Sequence, residues 1–369
     1  MGCAFRSGMT GCKPLLVTAE VSRGFRNISF ICACMVVMIH TSVFPPEGTL
    51  SWWVAFFVGS TGLCRVAVPY FFLMAGYFLF GREWREDWYG SAVRSRVRSL
   101  VVPFYVWMAV TVLVMCAVSM GIWLLKYDYQ GDAMLMPEAS VSYVLSVLGV
   151  NPLCDIGPLW FLRTLFFFVL LSPVLLRIIN SKFRIALLCG LLLFVVSLRL
   201  SSMSNDGLRI CFSFFSPPEG LLYFVLGMML RSGRFSAVKK MWQVVFFVLA
   251  IVLLALKGVF LSVESPCSAC FADMLMVPSM MVAWWMVAGR LPFSSAVSSL
   301  SFPIYLLHGF ILLIFTSVYA LVGLSEYAMS SICAMVVKFT ATLFGSIFIA
   351  DILRKNFPRV AKIMFGGRI

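Results

Sequence analysis

Phe30-Ile31-Cys32-Ala33-Cys34-Met35-Val36-Val37-Met38-Ile39-His40 sets ten apolar residues in a row and ends on an imidazole. The surrounding stretch, residues 27–44, holds no Asp, Glu, Lys or Arg. A helix wound from it is apolar on every face, where a helix on the surface of a soluble protein keeps one polar face. About 20 such residues, rising 1.5 Å each, cross the hydrocarbon of a bilayer. This segment therefore predicts a first membrane-spanning helix.

The rest of the chain follows the same pattern. Of its 369 residues, 62% are hydrophobic and only 12% are charged, and the mean hydropathy is +0.99. Soluble domains average about half apolar and a quarter charged. Ten segments are candidates to span: about 27–44, 60–80, 100–124, 157–176, 185–200, 216–230, 241–263, 268–289, 299–323 and 329–352. The second could begin nearer Trp52, and Pro217, Pro218 and Glu219 interrupt the start of the sixth. The fold class expected is an all-α integral-membrane bundle of about ten helices.

Charge placement orients it. The net charge is +14, yet the basic residues sit in short clusters between apolar runs, which excludes a nucleic-acid surface. With the N-terminus inside, 22 of the 29 Lys and Arg fall in the cytoplasmic segments, so both termini are expected in the cytoplasm. Residues 1–22 then form a cytoplasmic tail, 23–353 a single transmembrane domain, and 354–369 a basic cytoplasmic tail. The longest hydrophilic stretch, about 125–155, would face outward.

Cysteines such as Cys32, Cys34, Cys116, Cys189 and Cys333 lie in apolar runs and read as small packing residues. No CxxC pair has a matching histidine, so no metal site is expected. Cys267 and Cys270, three apart in an expected outer loop, are spaced to pair in an oxidising compartment.

Ionisable side chains within a span cost about 3 kcal/mol or more, so each marks a candidate site. Both histidines of the chain fall in or beside spans: His40, followed by Thr41 and Ser42, and His308 in Ile304-Tyr305-Leu306-Leu307-His308. An imidazole titrates near neutrality and is the commonest general base, although histidines also bond between helices purely for packing. Arg65 precedes Val66-Ala67-Val68-Pro69-Tyr70-Phe71-Phe72-Leu73-Met74-Ala75-Gly76-Tyr77. It either snorkels to the outer interface or faces the bundle and holds an anion. Arg163, in Leu159-Trp160-Phe161-Leu162-Arg163, carries the same two readings.

Taken together these segments resemble the acyltransferase 3 family of membrane acyltransferases. Asn27 to Thr41 is similar to the family's first-helix signature, and especially to the enterobacterial common antigen O-acetyltransferase group. Arg65 to Tyr77 resembles its second-helix motif. Leu159 to Leu162 with Ser172-Pro173, Tyr223-Phe224-Val225-Leu226-Gly227-Met228 and Ile304 to His308 resemble later ones, in the same order. The likeness covers about residues 23–352 and implies ten spans. It also implies transfer of an acyl group, usually acetyl, from cytoplasmic acyl-CoA to a hydroxyl of a surface polysaccharide or lipid-linked glycan, in a bacterial inner membrane.

The resemblance also implies an arginine eleven residues before the first-helix histidine, where this chain has Ser29, and a serine before Gly76, where it has Ala75. Fourteen residues of helix return to within about 40° of the same face, which makes Arg26 the candidate substitute. His40 and Arg65 are thus the candidate catalytic residues. Arg26, Tyr77, Trp160, Arg163, Tyr305 and His308 are the candidate substrate-binding residues. Arg94, Arg96 and Arg98 are candidates for the nucleotide end of acetyl-CoA or another acyl-CoA, beside the plainer reading of loop charge on the inner face. A flippase of lipid-linked sugars and a catalytically inactive homologue are the alternatives.

Overall fold

The computed structural model describes residues 17–41, 49–59, 62–80, 88–125, 159–201, 218–232, 240–263, 266–322 and 331–367. Among them the elements are all helical. They are α1 (Ala19–Thr41), α2 (Leu50–Val58), α3 (Ala67–Phe80), α4 (Trp88–Arg96), α5 (Val102–Leu125), α6 (Trp160–Asn180), α7 (Arg184–Ser201), α8 (Pro218–Arg231), α9 (Lys240–Ser262), α10 (Pro266–Ala288), α11 (Ser295–Ser298), α12 (Ser301–Val322), α13 (Ile332–Asn356) and α14 (Pro358–Met364). Most of the expected 125–155 outer loop, the first part of the N-terminal tail, and the side chains of Cys267 and Cys270 lie outside the described residues.

Seven helical stretches among the described residues are long and apolar enough to cross a membrane: Ala19–Thr41, Trp52–Phe80, Trp88–Val114, Trp160–Asn180, Met241–Phe260, Phe271–Ala288 and Ile332–Asn356. The other three expected spans are helices as well, α7, α8 and α12. The apolar stretches of α7 and α12 are shorter, Arg184–Leu198 and Ser301–Phe315. With 14 residues, α8 reaches only about 21 Å, short of a hydrocarbon layer of about 30 Å.

Two boundaries differ from the sequence reading for local reasons. The third span was expected to start near residue 100, but helix begins at Trp88 and runs through a π-helical turn, Val97–Val101, into α5. That turn falls just before Pro103, which has no N–H to give to the carbonyl four residues back, so the ladder shifts register there. At the other end, the expected C-terminal tail is structured. Phe357 (φ −133°) breaks α13, and Pro358 restarts the chain as α14.

The chain divides into two compact units. The first draws its described residues from Met1–Cys32, Arg65–Arg94 and Phe167–Ser298, the second from Ala33–Cys64, Ser95–Phe166 and Ser299–Ile369.

In the first unit, α3 lies against α8, α9 against α10, and α7 against α8 and α10. The α3–α8 seam is set by two glycines. A Cβ on Gly76 would sit 1.9 Å from the carbonyl oxygen of Phe224, and one on Gly227 would sit 2.0 Å from that of Leu73. Any side chain at either position forces the backbones apart. The Tyr70 hydroxyl donates to the Met281 carbonyl, and Asn27 Nδ2 donates to the carbonyls of Ala288 and Leu291, both at 2.8 Å. Those are carbonyls at and beyond the end of α10, which no helical N–H can reach.

In the second unit, α12 packs on α13 and α5, and α14 folds back on α5. Trp107 Nε1 donates to the Met364 carbonyl at 3.0 Å, and the Phe365 ring is fully buried 6.2 Å from the Trp107 ring. Gly366 ends α14 at φ +62°, where a Cβ would meet Ser99 at 2.8 Å.

Candidate functional site

The second unit brings its two imidazoles together. His40 stands exposed on the last turn of α1, and His308 is fully buried on α12. Their ring centroids are 5.1 Å apart and the planes are tilted by 35°. Tyr305 lies one turn before His308, its ring 5.9 Å from the imidazole and 5.6 Å from the ring of Phe161 on α6.

The tautomer of His308 follows from its own helix. Its Nδ1 lies 2.6 Å from the Tyr305 carbonyl oxygen, and a carbonyl only accepts, so Nδ1 carries the proton. In the neutral ring Nε2 therefore keeps its lone pair. That nitrogen is buried and has no hydrogen-bond partner among the described residues. A fixed imidazole with an unused acceptor thus packs against an exposed one.

The first unit holds a different constellation. Arg65, in the 3₁₀ turn Leu63–Val66 that leads into α3, bonds Glu219 of α8 at 3.0 Å and Asp273 of α10 at 3.5 Å. Asp273 also takes Lys257 of α9 at 2.7 Å. Two cations face two carboxylates, and the charges cancel. Lys257 and Asp273 are nearly buried, while Arg65 is partly exposed.

Tyr77, on the last turn of α3, accepts a hydrogen bond at 3.3 Å from Nη1 of Arg231, whose guanidinium lies 5.1 Å above the phenol ring. Phe25 closes on the same tyrosine at 4.7 Å and on Trp285 at 4.8 Å. Arg26 points elsewhere, exposed, with Nη1 bonded to Ser22 Oγ at 3.0 Å. Ser29 is half-buried, and its hydroxyl reaches the Met74 sulfur at 3.5 Å.

Of the predicted residues, His40, His308 and Tyr305 meet in one place. Trp160 and Arg163 are half-buried on α6, whose Phe161 touches Tyr305. Arg65 and Tyr77 belong to separate clusters of the first unit. Arg94 and Arg96 are helical residues of α4 and Arg98 lies in the π turn, with Arg94 and Arg98 exposed.

The family model for the acyltransferase domain matches residues 26–351. The chain belongs to the acyltransferase 3 family. The match runs from the first turns of α1 nearly to the end of α13, and it takes in helices long and apolar enough to cross a membrane. Over 181 residues the chain is 27% identical to the succinoglycan biosynthesis protein ExoH of Rhizobium meliloti (strain 1021). That alignment covers 46% of each protein, so the chain spans less than half the length of this curated relative. No solved structure matches the acyltransferase chain.

Sequence reasoning did not single out Glu219, Lys257, Asp273 or Arg231, which the structure places in these clusters. Lys257 and Asp273 gave a usable signal, since each is a charge deep in an apolar helix. Arg231 had been counted among the loop charges of the inner face, and only its burial sets it apart.

Proposed function

We propose that this acyltransferase moves an acyl group, acetyl in the simplest case, from acyl-CoA to a hydroxyl of a cell-surface polysaccharide or lipid-linked glycan, in a bacterial inner membrane. The observation that carries the reading is the exposed His40 ring against the tautomer-fixed His308, within a chain matched by the acyltransferase model. The likeness to a succinoglycan biosynthesis protein supports a polysaccharide as acceptor.

In this mechanism His40 removes the proton of the acceptor hydroxyl as its oxygen attacks the thioester carbonyl. His308 packs against His40 and holds the first ring in place. Collapse of the tetrahedral intermediate expels the CoA thiolate, which recovers the proton from His40, and an ester remains on the sugar. Arg94, Arg96 and Arg98 attract the nucleotide end of the donor. Arg26, exposed near the start of α1, meets the donor's phosphates rather than filling the place of Ser29, while Tyr305, Trp160 and Arg163 shape the acceptor side. Arg65, already engaged by two carboxylates, ties its turn to α8 and α10 and takes no direct part in the transfer.

Ser29 favours one second reading, an inactive homologue, because no cation occupies that position. Membranes containing the chain, given radiolabelled acetyl-CoA and a surface glycan, decide between the two. Label should enter the glycan, and His40→Ala should stop it. Label that persists in His40→Ala removes the histidine mechanism, and none with the wild type favours the inactive reading.

A further inference from the structure

Arg231 is a buried charge that the described residues of the first unit leave uncompensated. Its side chain is 93% buried at the end of α8, since only 7% of its surface is exposed. Its one hydrogen bond there goes to a neutral phenol, Tyr77, and its Nε is buried without a partner among the described residues. No carboxylate pairs with it among those residues. The tyrosine face and the C-terminal carbonyls of α8 supply partial negative charge, the latter equivalent to about half an elementary charge. A guanidinium kept out of water ordinarily has a full anion beside it.

The position of this cation narrows the anion. Phe25–Tyr77, Arg231–Tyr77 and Asn27–Ala288 bring together the first turns of α1, the last turns of α3 and α8, and the end of α10. By charge asymmetry this end of the unit faces the cytoplasm. Arg26 stands exposed on the next residue after Phe25, with no carboxylate partner among the described residues. Arginine's planar fork suits the two oxygens of a phosphate, and Nη1, already committed to Tyr77, fixes the plane of that fork.

We propose that Arg231, held by Tyr77, is a phosphate-binding residue at the cytoplasmic end of the first unit, receiving the organic phosphate of either coenzyme A or a membrane phospholipid. The coenzyme A case rests on the acyl-CoA reading above. It adds to that reading a buried contact, distinct from the exposed arginines of α4 and the π turn.

The test uses the full chain in nanodiscs, with free coenzyme A as the probe, so that no transfer is needed. On wild type, coenzyme A should raise the thermal midpoint, and inorganic pyrophosphate should compete. Arg231→Gln should weaken coenzyme A binding about tenfold or more, whereas Arg231→Lys should recover most of it. Acetyl-pantetheine, which lacks the nucleotide phosphates, should bind both variants equally. If a lipid is the ligand, Arg231→Gln should instead erase the stabilisation by anionic over zwitterionic nanodiscs and leave coenzyme A binding unchanged.

The idea is overturned if Arg231→Gln changes neither response, or if Arg231→Lys loses as much as Arg231→Gln. Should Arg231→Gln fail to fold, the wild-type titrations decide. The site does not exist if coenzyme A, pyrophosphate and anionic lipid all leave the midpoint where it was. Binding without any transfer would support this site while removing the catalytic reading. Transfer that ignores Arg231→Gln, with the coenzyme A and lipid responses of that variant both unchanged from wild type, would do the reverse.

Discussion

Two of the polar clusters among the described residues are built on opposite principles. In the first unit Arg65, Glu219, Asp273 and Lys257 answer one another, two charges of each sign within hydrogen-bonding reach. In the second, His40 and His308 are in contact, yet one ring is exposed and the other keeps a nitrogen with no partner among the described residues. Compensated charge in a low-dielectric interior secures helices to each other, because any rearrangement strands an ion. Uncompensated capacity does little for stability and is available to a substrate. The difference teaches that a charge in a membrane helix is not by itself a catalytic signal. What matters is whether the fold has already answered it.

That contrast can be broken most directly at His40. His40→Ala should lower acyl transfer by about 10²–10⁴-fold while the thermal midpoint in detergent stays within a few degrees of wild type. Loss of folding together with activity would move the pair into the same class as the quartet. Asp273→Asn should behave in the opposite way. It strands Lys257 and half of Arg65, and should destabilise the protein by about 3–5 kcal/mol in a chemical-unfolding measurement. Transfer per folded molecule should change little. The double variant Asp273→Asn with Lys257→Met should regain much of that loss, and a double variant no better than the single shows that the pair is not coupled.

Smaller effects sharpen the picture of the first unit. Gly227→Ala should cost about 1–3 kcal/mol, because a methyl placed 2.0 Å from a carbonyl oxygen has to separate α3 from α8. Equal stability of that variant in a thermal scan would argue against the seam. Asn27→Ala removes the two donors at the end of α10 and should cost about 1–2 kcal/mol, with amide exchange rising in the last turn of that helix.

The helical framework was legible in the sequence because span length and apolar content are local properties. All ten expected segments coincide with helices, although only seven helical stretches among the described residues meet the length and composition of a crossing. The start at Trp88 was missed because Arg94, Arg96 and Arg98 read as loop charge, while a helix projecting past the membrane holds them equally well. Both histidines were found because a titratable ring in an apolar helix stands out. Their contact was not, since it joins residues far apart in the chain. Arg65 was found for the same reason as the histidines, but its meaning depended on Glu219 and Asp273, which three-dimensional packing alone selects. Arg231 was hidden most completely. A basic residue closing a helix looks the same on paper whether solvent or aromatic rings surround it.

The seam between α3 and α8 also limits transport through the first unit. With main chain resting on main chain at Gly76 and Gly227, no gap remains there for a sugar or even a water file to thread, and sliding would first require the two helices to lift apart. Those helices act as a solid wall. A molecule admitted to this half of the protein cannot pass between α3 and α8 at those glycines.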